Sequence, residues 1–172
     1  MPLRVTIDSN VIHAHFKPRE RAHGDAVSLL DAAARGEILL TIAAQGSRLD
    51  FRPGQVADRL RELIDVKTVR VAEQVGRFGP ATQLAPDLKF GSTADGFWDA
   101  WTVEVERWPT HVNAAPNRED CWHVESHVVD GADVFVTDDQ PVLDMCSRLA
   151  AHGFVIQAAT LAEFVESEVH AK

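Results

Sequence analysis

A chain of 172 residues, 45% hydrophobic and 25% charged, is long enough to bury a core without disulfides and too apolar to stay disordered. No stretch approaches the roughly 20 apolar residues that cross a membrane, and MPLRVTID at the start lacks the apolar run of a signal peptide. The net charge of −9 argues against a simple clamp on a phosphate backbone. Basic residues do gather between Arg48 and Arg77, where Arg48, Arg52, Arg59, Arg61, Lys67, Arg70 and Arg77 outweigh five acids. Cys121 and Cys146 show no CxxC spacing and read as reduced thiols of a cytoplasmic protein.

In chain order, LRVTID (3–8) predicts a buried first strand, with a polar turn and loop following Asp8 through Ser9, Asn10, His13 and His15. Apolar spacing at Ala22, Ala26, Leu29, Leu30 and Ala33 predicts a helix over 20–36, closed by Gly36. EILLTIA (37–43) reads as a second strand. The segment 53–66 then places Val56, Leu60, Leu63 and Ile64 on one helical face. TVRVA (68–72) predicts a short strand, and the breakers beyond it a long loop to about residue 91. A helix over 92–108, with Ser92 and Asp95 at its start, carries Phe97, Trp98, Trp101, Val105 and Trp108 along one side, the spacing of a core or subunit interface. Residues 116–132 form the next helix, DVFVT (133–137) a buried strand, and 140–153 a helix ending in glycine. FVIQ (154–157) reads as the last strand and 160–170 as the terminal helix. Strands alternating with helices predict one α/β domain over 1–172 with a mainly parallel sheet.

Acids recur where such a sheet binds ligands, beyond the carboxyl ends of its strands. Asp8 closes the first strand, Asp138 and Asp139 follow DVFVT, and Asp120 opens the helix that feeds it. Were the two strands neighbours, these carboxylates would converge and repel unless a cation lay between them. Hard oxygen ligands suit Mg²⁺ or Mn²⁺, and such a site can activate water against a phosphodiester. Each acid also has a purely structural use: Asp8 in an Asx-turn, Asp139 as a helix cap before Gln140-Pro141, Asp120 as a favourable charge in a first helical turn.

Taken together, "IDSNV", "DCWHVESHVVDGADVFVTDD" and "HGFVIQAATLAEFV" resemble the PIN domain family, over about residues 3–43 and 117–168. The resemblance implies a PIN-like three-layer α/β/α sandwich and a Mg²⁺- or Mn²⁺-dependent ribonuclease, with an atypical middle segment at about 67–116. Many members are toxins of toxin–antitoxin pairs, so RNA and an antitoxin protein are the implied partners, and the tryptophan-rich helix over 92–108 offers a surface for a homodimer or an antitoxin peptide. By position Asp8, Asp120 and Asp139 match the family's metal-binding catalytic acids, and Asn10 and Thr137 its neighbouring polar residues, with Asp138 an additional acid. The family's glutamate after the second strand is missing; Ser47 or Arg48 falls near its place, and Asp50 is the candidate substitute. The departure keeps a second reading open, a PIN-like module of weak or no activity that binds RNA or a protein.

His123 and His127 share a face of the helix that carries Asp120, and His123 is placed to orient that acid or touch substrate. HVESH does not have the order of the HExxH metalloprotease motif, and no phosphate-cradling glycine loop or GxSxG elbow occurs. A dehalogenase-type phosphatase wants an acid two residues after Asp8, where this chain has Asn10.

Overall fold

β1 (Leu3–Ile7) is the middle strand of the sheet, and its alternation shows why. Val5 and Ile7 are fully buried on one face, and Thr6 is equally buried on the other. A strand covered on both sides needs this composition. The computed structural model describes residues 1–43, 55–72, 96–109 and 114–171. Within them the order after β1 is α1 (Ser9–His15), α2 (His23–Ala34), β2 (Ile38–Ile42), α3 (Gln55–Asp65) and β3 (Val69–Val71). Then come α4 (Phe97–Glu106), α5 (Arg118–Asp130), β4 (Val134–Val136), α6 (Gln140–Leu149), β5 (Ala158–Ala159) and α7 (Leu161–Phe164), which runs into a π-helical turn, Val165–Val169.

The five strands are all parallel, in the order β3-β2-β1-β4-β5. Winding from β1 through β2 to β3 proceeds one way, and the chain then returns to the other side of β1 for β4 and β5. The strand order therefore reverses between β1 and β4, the place at whose carboxyl ends open α/β sheets form a ligand crevice. Helices cover both faces of the sheet, giving an α/β/α sandwich. On one face α1, α2, α3, α7 and the π-helical turn pack over Val5, Ile7, Leu40, Ile42, Val134 and Val136. On the other, α4, α5 and α6 pack around Phe135.

Two local contacts set how β1 and β4 meet at the far end from the crevice. The Arg4 backbone N–H donates to Asp133 Oδ2 at 2.8 Å, and its guanidinium reaches the last carbonyls of α5 and the Asp130 carboxylate. A cation at a helix C-terminus is favourable for the dipole as well as for the orphan carbonyls. Gly131 caps the same helix at φ +62°, the left-handed conformation that lets the chain turn into β4.

Most of the expected elements are present, and the differences have physical reasons. The loop expected after Asp8 is helix α1, because the Asp8 carboxylate accepts the Ser9 N–H and caps it. The last strand is Ala158–Ala159 rather than FVIQ. β4 has only three residues, and the bonds from Phe135 N–H to Gln157 O and from Thr137 N–H to Ala159 O pair it with 157–159, which leaves 154–156 outside the ladder. Of the aromatic stripe on α4, Phe97 and Trp101 are buried, and Trp98, Val105 and Trp108 pack against the same core. Ser92, Asp95 and most of the long loop after TVRVA lie outside the described residues.

Phe135→Ala is expected to cost about 3–5 kcal/mol, since its ring fills the centre of the second core. Val155→Ala, on a side chain 88% exposed, is expected to be close to neutral. Urea denaturation of the two variants checks the contrast.

Candidate metal centre

The crevice at the strand-order reversal is built around one hydroxyl. Parallel pairing sets Ile7 beside Val136, and the Asp8 N–H continues the ladder to Val136 O at 3.0 Å. Asp8 and Thr137 therefore leave the sheet side by side. Thr137 Oγ1, fully buried, donates to Asp8 Oδ2 at 2.7 Å. It accepts from Asn10 Nδ2 and from the Asp139 backbone N–H, both at 3.1 Å. A hydroxyl has one proton and two lone pairs, so its capacity is spent. Asn10 Nδ2 also lies 3.1 Å from Asp8 Oδ2, and the Ser9 N–H donates to Asp8 Oδ1 at 2.6 Å.

Asp120 enters from α5. Its helix opens with a reciprocal capping box: Asn117 Oδ1 accepts from the Glu119 and Asp120 N–H groups, and Asp120 Oδ2 accepts the Asn117 N–H at 2.7 Å. Burial pushes the Asp120 carboxyl up to about 6. The Asn117 N–H pulls it down in part, while the charges of Asp8 and Asp139 push it further up. Asp139 caps α6, with Pro141 in the first turn, and accepts the Val142 N–H at 3.4 Å. All three candidate acids thus stand at helix N-termini, where a negative charge is favourable. Asp139 caps a helix and Asp120 sits in a first turn as foreseen, Asp8 caps α1 rather than forming an Asx-turn, and the charges of Asp8 and Asp139 reach Asp120.

The remaining candidates divide. Asn10 and Thr137 are the two side chains that hold Asp8. Asp138 is exposed and spends Oδ1 on the Leu161 N–H at 3.0 Å, tying α7 to the end of β4. His123, expected beside Asp120, lies near enough to lower that carboxyl's pKa in part and also brings Nδ1 to 3.4 Å from Asp8 Oδ1. His127 is buried under the sheet against Phe135 and 3.1 Å from the Thr6 hydroxyl. Burial lowers its imidazole to about 4 and keeps it neutral. Ser9 was not foreseen as a holder of Asp8; a serine straight after a strand-ending acid was the available signal. Asp50, Ser47 and Arg48 lie outside the described residues. Of the basic run, Arg61 is paired with Asp58 on its own helix, and Arg52, Arg77 and the side chain of Arg59 are outside the description.

Among the described residues, no group of three or more His, Cys, Asp or Glu side chains is arranged as a ready metal cage. The donor set nevertheless has the chemistry of a hard dication. It offers three carboxylates and Asn10 Oδ1, a buried amide oxygen without a hydrogen-bond donor among the described residues. The chain matches no protein-family model, and no curated protein is significantly similar to it. No helix among the described residues is long and apolar enough to cross a membrane.

The raised Asp120 pKa has a definite sign in stability. Between the unperturbed value of 3.8 and about 6, the folded state holds a proton that the unfolded state releases. Stability from this group therefore falls as pH rises through that window. His127, with its imidazole lowered from 6.5 to about 4, acts in the opposite direction over nearly the same range. The difference between wild type and Asp120→Asn isolates the carboxyl. In cation-free buffer the variant is expected to gain stability relative to wild type as pH rises from 4 to 6. Urea midpoints across that range measure it.

Proposed function

We propose that this chain is a PIN-like, Mg²⁺- or Mn²⁺-dependent ribonuclease, with Asp8, Asp120 and Asp139 as its metal-binding acids. One observation carries the reading: three carboxylates from β1, α5 and the end of β4 meet electrostatically at the crevice where the strand order reverses. Three negative charges are costly to keep there without a compensating cation. Support also comes from the care with which Asp8 is oriented, by two side chains and one backbone N–H.

In the proposed chemistry, a dication at this site supplies Lewis acidity, lowering the pKa of water and neutralising charge on the scissile phosphate. The chain's own residues hold and aim. Asp8 presents its carboxylate in a fixed plane because Thr137 and Asn10 grip one oxygen and the Ser9 N–H grips the other. Asp139 is oriented through its own backbone N–H on Thr137. Asp120 would have to give up its proton to hold a cation, so metal affinity would rise with pH through about 6. The basic run on 48–77 would steer the RNA against the acidic net charge. The resemblance at both ends of the chain makes a toxin with a cognate antitoxin the matching biological setting.

The rival reading, a PIN-like module that binds RNA or protein without catalysis, has one observation in its favour. Each of the three acids already serves a helix N-terminus, so the fold alone accounts for their presence. Calorimetric titration of Mn²⁺ into wild type and Asp8→Asn, with a labelled-RNA cleavage assay on the same samples, separates the two. Metal binding and cleavage in wild type, both lost in the variant, are expected. Thr137→Val is expected to weaken metal affinity by about 10–100-fold. Absence of both binding and cleavage at millimolar Mn²⁺ in wild type would sink the catalytic reading.

A further inference from the structure

The two oxygens of Asp8 are not equivalent. Oδ2 receives the Thr137 hydroxyl and the Asn10 amide, which fills both of its lone pairs. Oδ1 receives the Ser9 N–H at 2.6 Å, while Ser9 Oγ, at 3.3 Å, stands beyond the usual O–H···O range. Oδ1 is therefore the oxygen with capacity left, and it is the one that faces His123 Nδ1 across 3.4 Å.

His123 is only 4% exposed, so its ring is held by packing rather than by solvent. It lies one turn after Asp120 on α5. The helix that delivers the second acid thus also delivers an imidazole to the first. Two donors on one dication, each about 2.1 Å from it, sit about 3.0 Å apart in octahedral geometry and about 3.4 Å apart in tetrahedral geometry. The 3.4 Å between Nδ1 and Oδ1 is about 0.4 Å wider than the octahedral spacing, close enough for a small side-chain shift to make them neighbouring ligands of a single ion.

We propose that His123 Nδ1 is a direct ligand beside Asp8 Oδ1, making the centre a mixed nitrogen–oxygen site that takes Mn²⁺ in preference to Mg²⁺. The inference rests on the metal-dependent reading above. Imidazole nitrogen suits first-row transition ions, whereas Mg²⁺ keeps to oxygen donors and gives up its waters reluctantly. A neutral imidazole in place of a further carboxylate also adds a ligand without adding repulsion to Asp8, Asp120 and Asp139.

The test is pulsed electron paramagnetic resonance of Mn²⁺ bound to the whole chain, with Mg²⁺ competition followed on the same samples. A ¹⁴N coupling is expected, converting to a ¹⁵N pattern in protein grown on ¹⁵N-histidine and disappearing in His123→Gln. Mg²⁺ is expected to displace Mn²⁺ from wild type only at about a hundredfold excess or more, and from the variant at much lower excess. Mn²⁺ that binds without a histidine coupling, and is lost in Asp8→Asn, overturns the proposal and leaves the metal-dependent reading standing. His123 would then orient Asp8 through a hydrogen bond. A coupling that persists in folded His123→Gln overturns it as well, and no Mn²⁺ binding in wild type overturns both. Circular dichroism checks the variant; should it fail to fold, the labelled wild-type spectrum decides alone.

Discussion

The 2.7 Å hydrogen bond from Thr137 to Asp8 joins residues 129 positions apart and ties together four elements of the fold. Through one buried hydroxyl the end of β1, the first turn of α1, the end of β4 and the start of α6 share a single set of donors and acceptors. The parallel pairing of β1 with β4 makes that bond possible, since register alone decides that Asp8 and Thr137 leave the sheet as neighbours. Arg4 secures the same pair of strands at the opposite end by holding the close of α5 to the opening of β4. The crevice is thus fixed from both ends of its two strands, and the orientation of Asp8 follows from the sheet rather than from a loop.

Charge at this crevice is balanced by the fold only in part. Each acid gains from the helix N-terminus on which it stands, which lowers the cost of placing three carboxylates near one another. The compensation is incomplete at Asp120, where burial and two negative neighbours hold the carboxyl up to about 6. The same features that cap helices therefore leave a local excess of negative charge with oxygen donors facing it. A structural and a functional use of these residues do not compete. The caps explain why the acids are rigid, and the residual repulsion explains what the crevice would attract.

The second face of the sheet shows how a polar group is accommodated where no ion is called for. His127 is buried beside Phe135 and within reach of the Thr6 hydroxyl, its charge suppressed by desolvation. Glu104 is likewise buried, and is answered by His152 at 2.8 Å and by Arg107 and Arg148, which hold its carboxyl below the usual range. Each of these groups is either neutral or matched by opposite charge. At the crevice three acids gather around one described imidazole, His123, which sets that place apart from the other buried ionisable groups described.

By itself the sequence determined the kinds of element and much of their chemistry. Short apolar runs marked β1, β2 and β4, 3.6-residue spacing marked α2, α3 and α4, and Asp120 as a first-turn charge marked the start of α5, where the capping box is found. It also singled out Asp8, Asp120 and Asp139, because position at strand and helix ends is a local property, while Asn10 and Thr137 came only from the family resemblance. Only the tertiary structure decided that β1 and β4 are neighbours, that the residues after Asp8 wind into a helix, and that His123 reaches Asp8 as well as Asp120. Periodicity reports which side of a segment is apolar; it carries no record of which other segment that side will meet. The parallel ladder and the packing of α5 on the sheet make those choices, and both depend on contacts between residues more than a hundred positions apart.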